Sequence, residues 1–246
     1  MPPLSTLDRR TLLKALTFAP VAATLPQAMQ AQVTQAGLIS TDVCMLSGEV
    51  TEGPFYVDPM LIRTDITEGR PGLPMQLRIQ VVTADCVPVL GARVDVWHCD
   101  AQGVYSGVQN LGSGADTVGQ TFLRGTQTTD SAGVASFQTV FPGWYSGRTT
   151  HVHYKVYLAD KTVLTSQIFF DEAVNQAIYD DHEAYARSNP RDMLNAADSI
   201  AAEAGQGAYA RVKMTEPDGA MEAALVVGIN PEGGASGLLD WLWKRA

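Results

Sequence analysis

The strongest constraint on the fold is a series of short segments that are rich in β-branched and aromatic residues. These segments cover residues 74–84, 91–100, 133–140, 150–160, 163–170 and 208–216. Turn-forming stretches such as "DAQG", "DSAG" and "PDG" accompany them. Short strands at this spacing are typical of antiparallel sandwiches and barrels. The sequence therefore predicts a mainly β chain folded as an antiparallel sandwich or barrel.

Three stretches interrupt the strand pattern. Residues 106–120 are rich in Gly, Ser and Asn and are predicted to form a long loop. Residues 171–204 are predicted to form helical or loop excursions, and the last ten residues a short amphipathic helix. Because no internal repeat or linker divides the body of the chain, we predict one domain over residues 32–246.

The first 31 residues have the layout of an export signal. A basic start with Arg9 and Arg10 is followed by a Leu-Leu-Lys run, a short apolar stretch and an Ala-rich end. The arginine pair resembles the twin-arginine type of signal. The alternatives are a disordered leader and a membrane anchor, but the apolar stretch is too short to span about 30 Å of hydrocarbon. We therefore expect a periplasmic or secreted protein with no membrane insertion after signal removal.

Charge and cysteine content describe the environment in which the chain is expected to work. The net charge of −9 gives no electrostatic reason to expect nucleic acid or an anionic membrane surface as a partner. Cys44, Cys86 and Cys99 fit one disulfide and one free thiol in an oxidising compartment, and all three pairings remain open. Cys99 lies in an apolar segment, which indicates a small core residue.

The stretch "THVHYKVYL" places two of the chain's four histidines one residue apart. Because side chains alternate between the faces of a strand, His151 and His153 share one face, about 7 Å apart along the strand. The residues between and after them form an apolar face toward the core; they are Val152, Tyr154, Val156 and Leu158. A single histidine is more often a hydrogen-bonded structural residue, but two on one face indicate a shared metal.

Two imidazoles need further ligands to complete a metal site. A zinc enzyme would add a third histidine or a carboxylate, and a non-haem Fe(II) oxygenase would add one Asp or Glu. The nearest upstream acids, Asp130 and Asp116, are distant in sequence. Tyr145 lies close by on a Gly/Pro turn, and Tyr105 lies where a strand breaks into a loop. A phenolate is a hard oxygen donor that suits Fe(III). The residues alone nevertheless leave zinc, Fe(II) and Fe(III) all open.

Several longer motifs occur in one order along the chain. They are "TEGPFY", "RTDITEGRPGLPMQL", "VPVLGARVDVWHCDAQGVYSG", "FLRGTQTTDSAG" and "FPGWYSGRTTHVHYKV". Together they resemble the intradiol ring-cleavage dioxygenases, most closely the small secreted type related to catechol and protocatechuate dioxygenases. The resemblance implies a β-sandwich of that family with one non-haem Fe(III). It also implies a small aromatic diol and O2 as substrates, a muconate-type dicarboxylic acid as product, and leaves a homo-oligomer open.

The resemblance transfers the family's functional residues position by position. The iron ligands fall on Tyr105, Tyr145, His151 and His153. The active-site arginine falls on Arg148 and the glutamine of the next strand on Gln167; with Tyr145 these are the expected catalytic residues. Pro54 and Tyr56 of "EGPFY", together with Arg148, are the expected substrate-binding residues.

The sequence leaves both the substrate and two other functional classes open. No extra basic residue near the motifs marks a carboxylate pocket, which favours catechol, hydroxyquinol or a lignin-derived catechol over protocatechuate. One alternative is an exported β-sandwich binding module in which the histidine pair is structural. The other is a cupin-like zinc or Fe(II) enzyme with a remote third ligand such as His98. The family does not use that position as a ligand, so we predict a structural role for His98.

Overall fold

The computed structural model describes residues 45–58, 60–109, 116–215 and 219–232. Within these ranges eight strands form two four-stranded sheets. The strands are β1 (Pro74–Thr83), β2 (Arg93–Trp97), β3 (Arg124–Thr128), β4 (Val134–Val140), β5 (His151–Leu158), β6 (Lys161–Phe169), β7 (Arg211–Thr215) and β8 (Ala220–Ile229). The six predicted segments all contain strands, which confirms the mainly β fold.

The first sheet has the strand order β4–β1–β8–β7, and the second has the order β3–β2–β5–β6. Neighbouring strands are antiparallel except for β1 and β8, which run parallel with Met75 opposite Met221. Parallel neighbours need a crossover connection, and here the crossover contains all of the intervening chain. The predicted antiparallel sandwich is therefore confirmed with one parallel pair at the centre of the first sheet.

The two sheets pack through one shared apolar core. Its buried side chains include Leu77, Ile79, Val81, Val94, Val96, Phe137, Val152, Tyr154, Val156 and Val227. Burying each large apolar side chain contributes about 1.5–3 kcal/mol to folding. Because side chains alternate along a strand, the residues between these positions on β2 and β5 point to the outer face of the second sheet. That outer face carries the candidate site.

The segment after β6 contains short helices joined by loops, as predicted for residues 171–204. It contains α1 (Glu172–Asp181) and α2 (Ser199–Ala204), with short 3-10 turns at Glu183–Tyr185, Asn195–Ala197 and Gln206–Ala208. Asp198 caps α2, because its carboxylate accepts hydrogen bonds from the backbone of Ile200 and Ala201. In the part of the chain that the structure describes, no helix has the length and apolar character needed to cross a bilayer.

Two strands lie outside the sequence prediction. Strand β3, "RGTQT", has no apolar pattern, and β8, "AMEAALVVGI", is rich in alanine, the best helix former. Strand β8 is nevertheless extended because it lies between β1 and β7 and completes their hydrogen bonds. Tertiary pairing therefore overrides local preference in this segment.

The cysteines occupy two different environments. Cys86 is disulfide-bonded, whereas Cys99 is free and buried, which confirms the prediction of a core residue. Burial raises the pKa of the Cys99 thiol to about 12. Cys44, the predicted export signal, residues 110–115 of the predicted loop and the predicted C-terminal helix all lie outside the described residues.

Candidate active site

Strand β5 presents His151 and His153 on the outer face of the second sheet, while Val152 and Tyr154 enter the core. The alternation predicted from sequence is therefore confirmed. The two Nε2 atoms lie 3.1 Å apart. Both imidazoles are almost fully buried, because the segment before β1 and the loops after β2 and β4 cover this part of the sheet.

Two tyrosines bring their hydroxyl groups to the same imidazole. The Oη atoms of Tyr105 and Tyr145 each lie 3.3 Å from Nε2 of His151. Gly103, with φ of 80°, lets the two tyrosine-bearing loops approach each other. A Cβ atom added at this position would lie 2.2 Å from the carbonyl oxygen of Trp144, so only glycine fits the turn.

The four polar atoms fit a bound metal ion better than a hydrogen-bonded cluster. Nδ1 of His151 donates to the carbonyl oxygen of Thr149 at 2.6 Å, so its Nε2 carries a lone pair and no hydrogen. One lone pair accepts one strong hydrogen bond, yet three polar atoms lie within 3.3 Å of it. Ligand atoms that each lie about 2.0–2.2 Å from one ion are separated by roughly this distance.

Burial keeps both imidazoles in the neutral form. The pKa of His151 falls to about 3, first because of burial and second because of the nearby Arg148 guanidinium. The pKa of His153 also falls well below its usual value, through burial and the proximity of His151. Neutral imidazole is the form that binds a metal, so the pair needs no deprotonation at neutral pH.

The two tyrosines differ in their access to solvent. Tyr105 is only 1% exposed, whereas Tyr145 is half-buried. Burial raises the pKa of Tyr105 well above its usual range. Burial also raises the pKa of Tyr145, to about 12, but the neighbouring Arg148 opposes that rise. Tyr145 is therefore the hydroxyl that solvent and substrate reach more easily.

His153 is held by stacking rather than by a second hydrogen bond. The Trp97 ring lies 4.8 Å from the imidazole at an interplanar angle of 8°, and Tyr56 packs on Trp97 at 4.8 Å. Nδ1 of His153 finds no hydrogen-bond partner among the described residues, although ligand histidines usually have one there. Trp97 is a supporting residue that sequence reasoning missed; alternation along "VDVW" would have placed it on the outer face.

Arg148 and Gln167 meet beside the histidine pair. Nη2 of Arg148 donates to Oε1 of Gln167 at 2.6 Å, and its Nε donates to Asp198 at 2.8 Å. Asp198 also accepts from the backbone amide of Thr149 at 2.9 Å. Sequence reasoning did not single out Asp198, although "DSIAAEA" carries the signal of an N-cap. This carboxylate therefore fixes Arg148 and α2 together.

Tyr56 does not direct its hydroxyl toward the four donor atoms. The hydroxyl donates to Asp95 at 3.0 Å and shares a hydrogen bond with Tyr157 at 2.8 Å. Asp95 is fully buried and also accepts from Arg93 and Thr126. The Tyr56 hydroxyl is thus engaged in a hydrogen-bond network with Asp95 and Tyr157, and its predicted contact with substrate stays a prediction.

Phe55, the neighbour of Tyr56, is the aromatic residue of this segment that lines the site. Its ring stacks on Tyr105 with a centroid distance of 4.4 Å and packs edge-on against Tyr145 at 5.9 Å. Pro54 is exposed in the turn just before it. Phe55 and not Tyr56 borders the two tyrosines, because adjacent residues point in different directions; the substrate contacts predicted for Pro54 and Tyr56 stay predictions.

His98 has the predicted structural role. Its Nδ1 lies 2.8 Å from the carbonyl oxygen of Cys99, and its Nε2 lies 2.7 Å from Oγ1 of Thr139. The residue is fully buried, and burial lowers its pKa to about 4. Both ring nitrogens are engaged away from the other histidines, so His98 is not available as a third ligand.

A cavity of about 570 Å³ opens beside the two tyrosines. Phe55, Tyr105, Trp144 and Tyr145 form its aromatic lining, and residues 186–189 line it as well. Ligand pockets commonly have volumes of about 300–1,000 Å³. The cavity is therefore large enough for an aromatic ligand that contacts the two tyrosines.

Comparison with known proteins identifies the family of the chain. A family model described as Dioxygenase matches residues 51–209. The solved intradiol ring-cleavage dioxygenase from Tetranychus urticae is 32% identical, with a TM-score of 0.72 over 78% of this chain and 98% of that one. This chain belongs to the intradiol ring-cleavage dioxygenase family. The resemblance seen in the motifs is confirmed, and the intradiol dioxygenase type of β-sandwich with it.

Two catechol dioxygenases are similar to this intradiol family member over shorter stretches. The chlorocatechol 1,2-dioxygenase of Pseudomonas sp. (strain P51) is 29% identical over 40% of this chain and 44% of the relative. Catechol 1,2-dioxygenase 1 of Acinetobacter lwoffii is 29% identical over 55% of this chain and 49% of the relative. The chain thus spans about half the length of each. The family match contains every predicted iron ligand, Arg148, Gln167 and Asp198.

Proposed function

We propose that this family member is a non-haem Fe(III) dioxygenase that cleaves a catechol-type ring between its two hydroxyls. The observation that carries the proposal is the convergence of two phenol oxygens and Nε2 of His153 on Nε2 of His151, at distances of 3.1–3.3 Å from that atom. The reaction would consume one O2 and no other reactant. The bond between the two hydroxyl-bearing carbons breaks, each of these carbons gains one oxygen atom, and a muconate-type dicarboxylic acid forms.

The ion would be held by four side chains, namely Tyr105, Tyr145, His151 and His153. When bound, Fe(III) would supply a Lewis acid and a template that withdraws electron density from the diol. Two phenolates and two neutral imidazoles offset two of its three positive charges. Hard oxygen donors of this kind favour a trivalent ion over zinc or copper.

Tyr145 is suited to accept a proton from a substrate hydroxyl. It is the more exposed of the two tyrosines, and its ring borders the cavity. Tyr105 is buried, and the Phe55 ring that stacks on it holds its ring in place. We therefore assign proton acceptance to the Tyr145 oxygen and a permanent ligand role to Tyr105.

Arg148 is suited to offset negative charge that develops on the substrate ring. Asp198 and Gln167 hold two of its nitrogens, so the planar guanidinium is fixed before substrate arrives. Gln167 is fully buried and donates to the backbone of Thr51. We assign it the positioning of Arg148 rather than direct contact with substrate.

Neither alternative accounts for the same contacts. A structural histidine pair leaves three polar atoms around one lone pair unexplained. A cupin-like zinc or Fe(II) site would need a remote third ligand, and both nitrogens of His98 are already hydrogen-bonded. The donor set therefore favours Fe(III).

The proposal is tested by colour, iron content and oxygen uptake on one preparation. Iron-loaded protein is expected to be wine-red, as Fe(III)–tyrosinate is, and to lose the colour when a chelator removes the iron. With catechol it should consume one O2 per ring opened and yield a dicarboxylic acid in the chromatogram. A binding module would show neither colour nor oxygen uptake. Iron-loaded protein that is colourless and inert with every diol tested would refute the proposal.

We also propose that residues 1–31 direct export through the twin-arginine route. The arginine pair supports this, and the disulfide at Cys86 suits an oxidising compartment. Replacing Arg9 and Arg10 by Lys should leave precursor in the cytoplasm, measured by cell fractionation and immunodetection. Arg211→Lys, on the edge strand β7, is the matched control and should be exported normally. Periplasmic delivery of the double variant would contradict the proposed route.

A further inference from the structure

The cavity beside the tyrosines extends beyond the four donor atoms. Its lining includes Gln102, Gly103, Arg187, Ser188 and Asn189 in addition to the aromatic residues. A volume of about 570 Å³ lies in the range that holds drug-sized ligands, which exceeds the needs of one unsubstituted ring. A diol that binds at the tyrosines therefore has room to carry a substituent toward residues 186–189.

Arg187 is the cation of this cavity and is held in a fixed position. Its guanidinium carbon lies 4.4 Å from the centroid of the Trp144 ring, and Nη2 donates to the carbonyl oxygen of Ala101 at 3.2 Å. A Cβ atom added at Gly103 would come within 2.8 Å of Nη2. The glycine, the indole ring and the carbonyl together keep the guanidinium at the cavity wall.

No carboxylate among the described residues forms an ion pair with Arg187. The charge of Asp100 offsets part of the cost of burying this guanidinium, but the ion-pair partner of Asp100 is Arg70. Asp192, near the cavity residue Ser146, accepts one hydrogen bond from the hydroxyl of that residue and others from the backbone of Gly147. Nε of Arg187 is buried and finds no hydrogen-bond acceptor in the described part of the chain. A half-buried cation with an unused donor is costly unless a ligand supplies an anion.

We propose that Arg187 binds a carboxylate on the substrate, so that the enzyme acts on aromatic ortho-diols that carry an acidic substituent. The proposal rests on the proposed function in taking an ortho-diol as the ligand. Arginine binds carboxylates through paired, charge-assisted hydrogen bonds. This assignment departs from the expectation that favoured catechol, hydroxyquinol or a lignin-derived catechol over protocatechuate, which considered only basic residues near the sequence motifs. Arg187 lies far along the chain, and the fold brings it to the same cavity.

The test compares 3,4-dihydroxybenzoate with its uncharged counterpart, 3,4-dihydroxybenzamide. Wild type should prefer the acid. In Arg187→Met the ratio of kcat/KM for acid to that for amide should fall by roughly tenfold to a hundredfold, mainly through KM, the scale of a charge-assisted hydrogen bond. Arg187→Lys should recover part of the ratio. Arg211→Met, on the far edge of the other sheet, is the matched control and should keep the wild-type ratio.

Binding calorimetry without O2, on the same proteins, separates this inference from the proposed function. If the wild type consumes no diol but binds the acid more tightly than the amide, and only Arg187→Met abolishes the difference, the carboxylate site stands and the proposed reaction fails. A wild type that does not discriminate the acid from the amide overturns the inference. An Arg187→Met variant that weakens both ligands equally, or that leaves the ratio unchanged, overturns it as well.

Discussion

Replacing Tyr105 by Phe is expected to lower turnover by roughly a hundredfold or more and to change the visible absorption band. A phenyl ring has no donor oxygen, and no other hydroxyl can move into a position that is buried under Phe55. Tyr145→Phe should also change the band. It should reduce turnover further, because it removes the proposed proton acceptor as well as a ligand.

The measurements are the visible spectrum, iron content and oxygen uptake at matched protein concentration. Tyr209→Phe is the control, since the Tyr209 ring packs on Phe169 and its loss of a hydroxyl should leave the band intact. Binding of iron with unchanged spectra in both ligand variants would show that neither phenol coordinates the ion.

Replacing Arg148 by Ala is expected to keep iron and colour but to lower turnover by roughly a hundredfold or more. That is the scale lost when a charge partner of the transition state is removed. Lys should recover only part of the rate, because a compact ammonium group cannot reproduce the planar guanidinium. The loss should appear in kcat, measured by oxygen uptake with the best diol at matched iron content.

Asp198→Asn separates the catalytic role of Arg148 from a structural one. The amide oxygen keeps the cap for α2, but the amide nitrogen that replaces the other oxygen cannot accept a hydrogen bond from Arg148 or from the backbone of Thr149, so the ion pair that fixes the guanidinium is lost. We expect an intermediate loss of turnover and a modest fall in melting temperature. If Arg148→Ala turned over substrate at the wild-type rate, Arg148 would have no part in the mechanism.

The sequence predicted the features of the site that depend on local alternation or on adjacent residues. The shared face of His151 and His153 followed from the strand period alone. The choice between Phe55 and Tyr56 did not follow, because the segment before β1 is irregular and its side-chain directions have no fixed period. Here the packing of Phe55 on Tyr105 decides which ring faces the site.

Other features depend on contacts between distant parts of the chain. Asp198 and Arg187 both come from the excursion after β6, whose sequence indicates helix or loop but not where the segment lies. Strand β8 is similar, since its alanine-rich sequence has helical character and only β1 and β7 impose an extended backbone. Such long-range pairing is invisible to a single-sequence pattern.

The central parallel pair of β1 and β8 also determines when the first sheet can form during synthesis of the chain. The first sheet cannot close until residues 220–229 have left the ribosome, although β1 is synthesised first. Until then β1 has a free hydrogen-bonding edge of apolar sequence, which is a template for aggregation. Chains with so many distant contacts fold on the scale of milliseconds to seconds. Folding is therefore expected to finish after translation, and a nascent chain released before β8 should depend on chaperones to stay soluble.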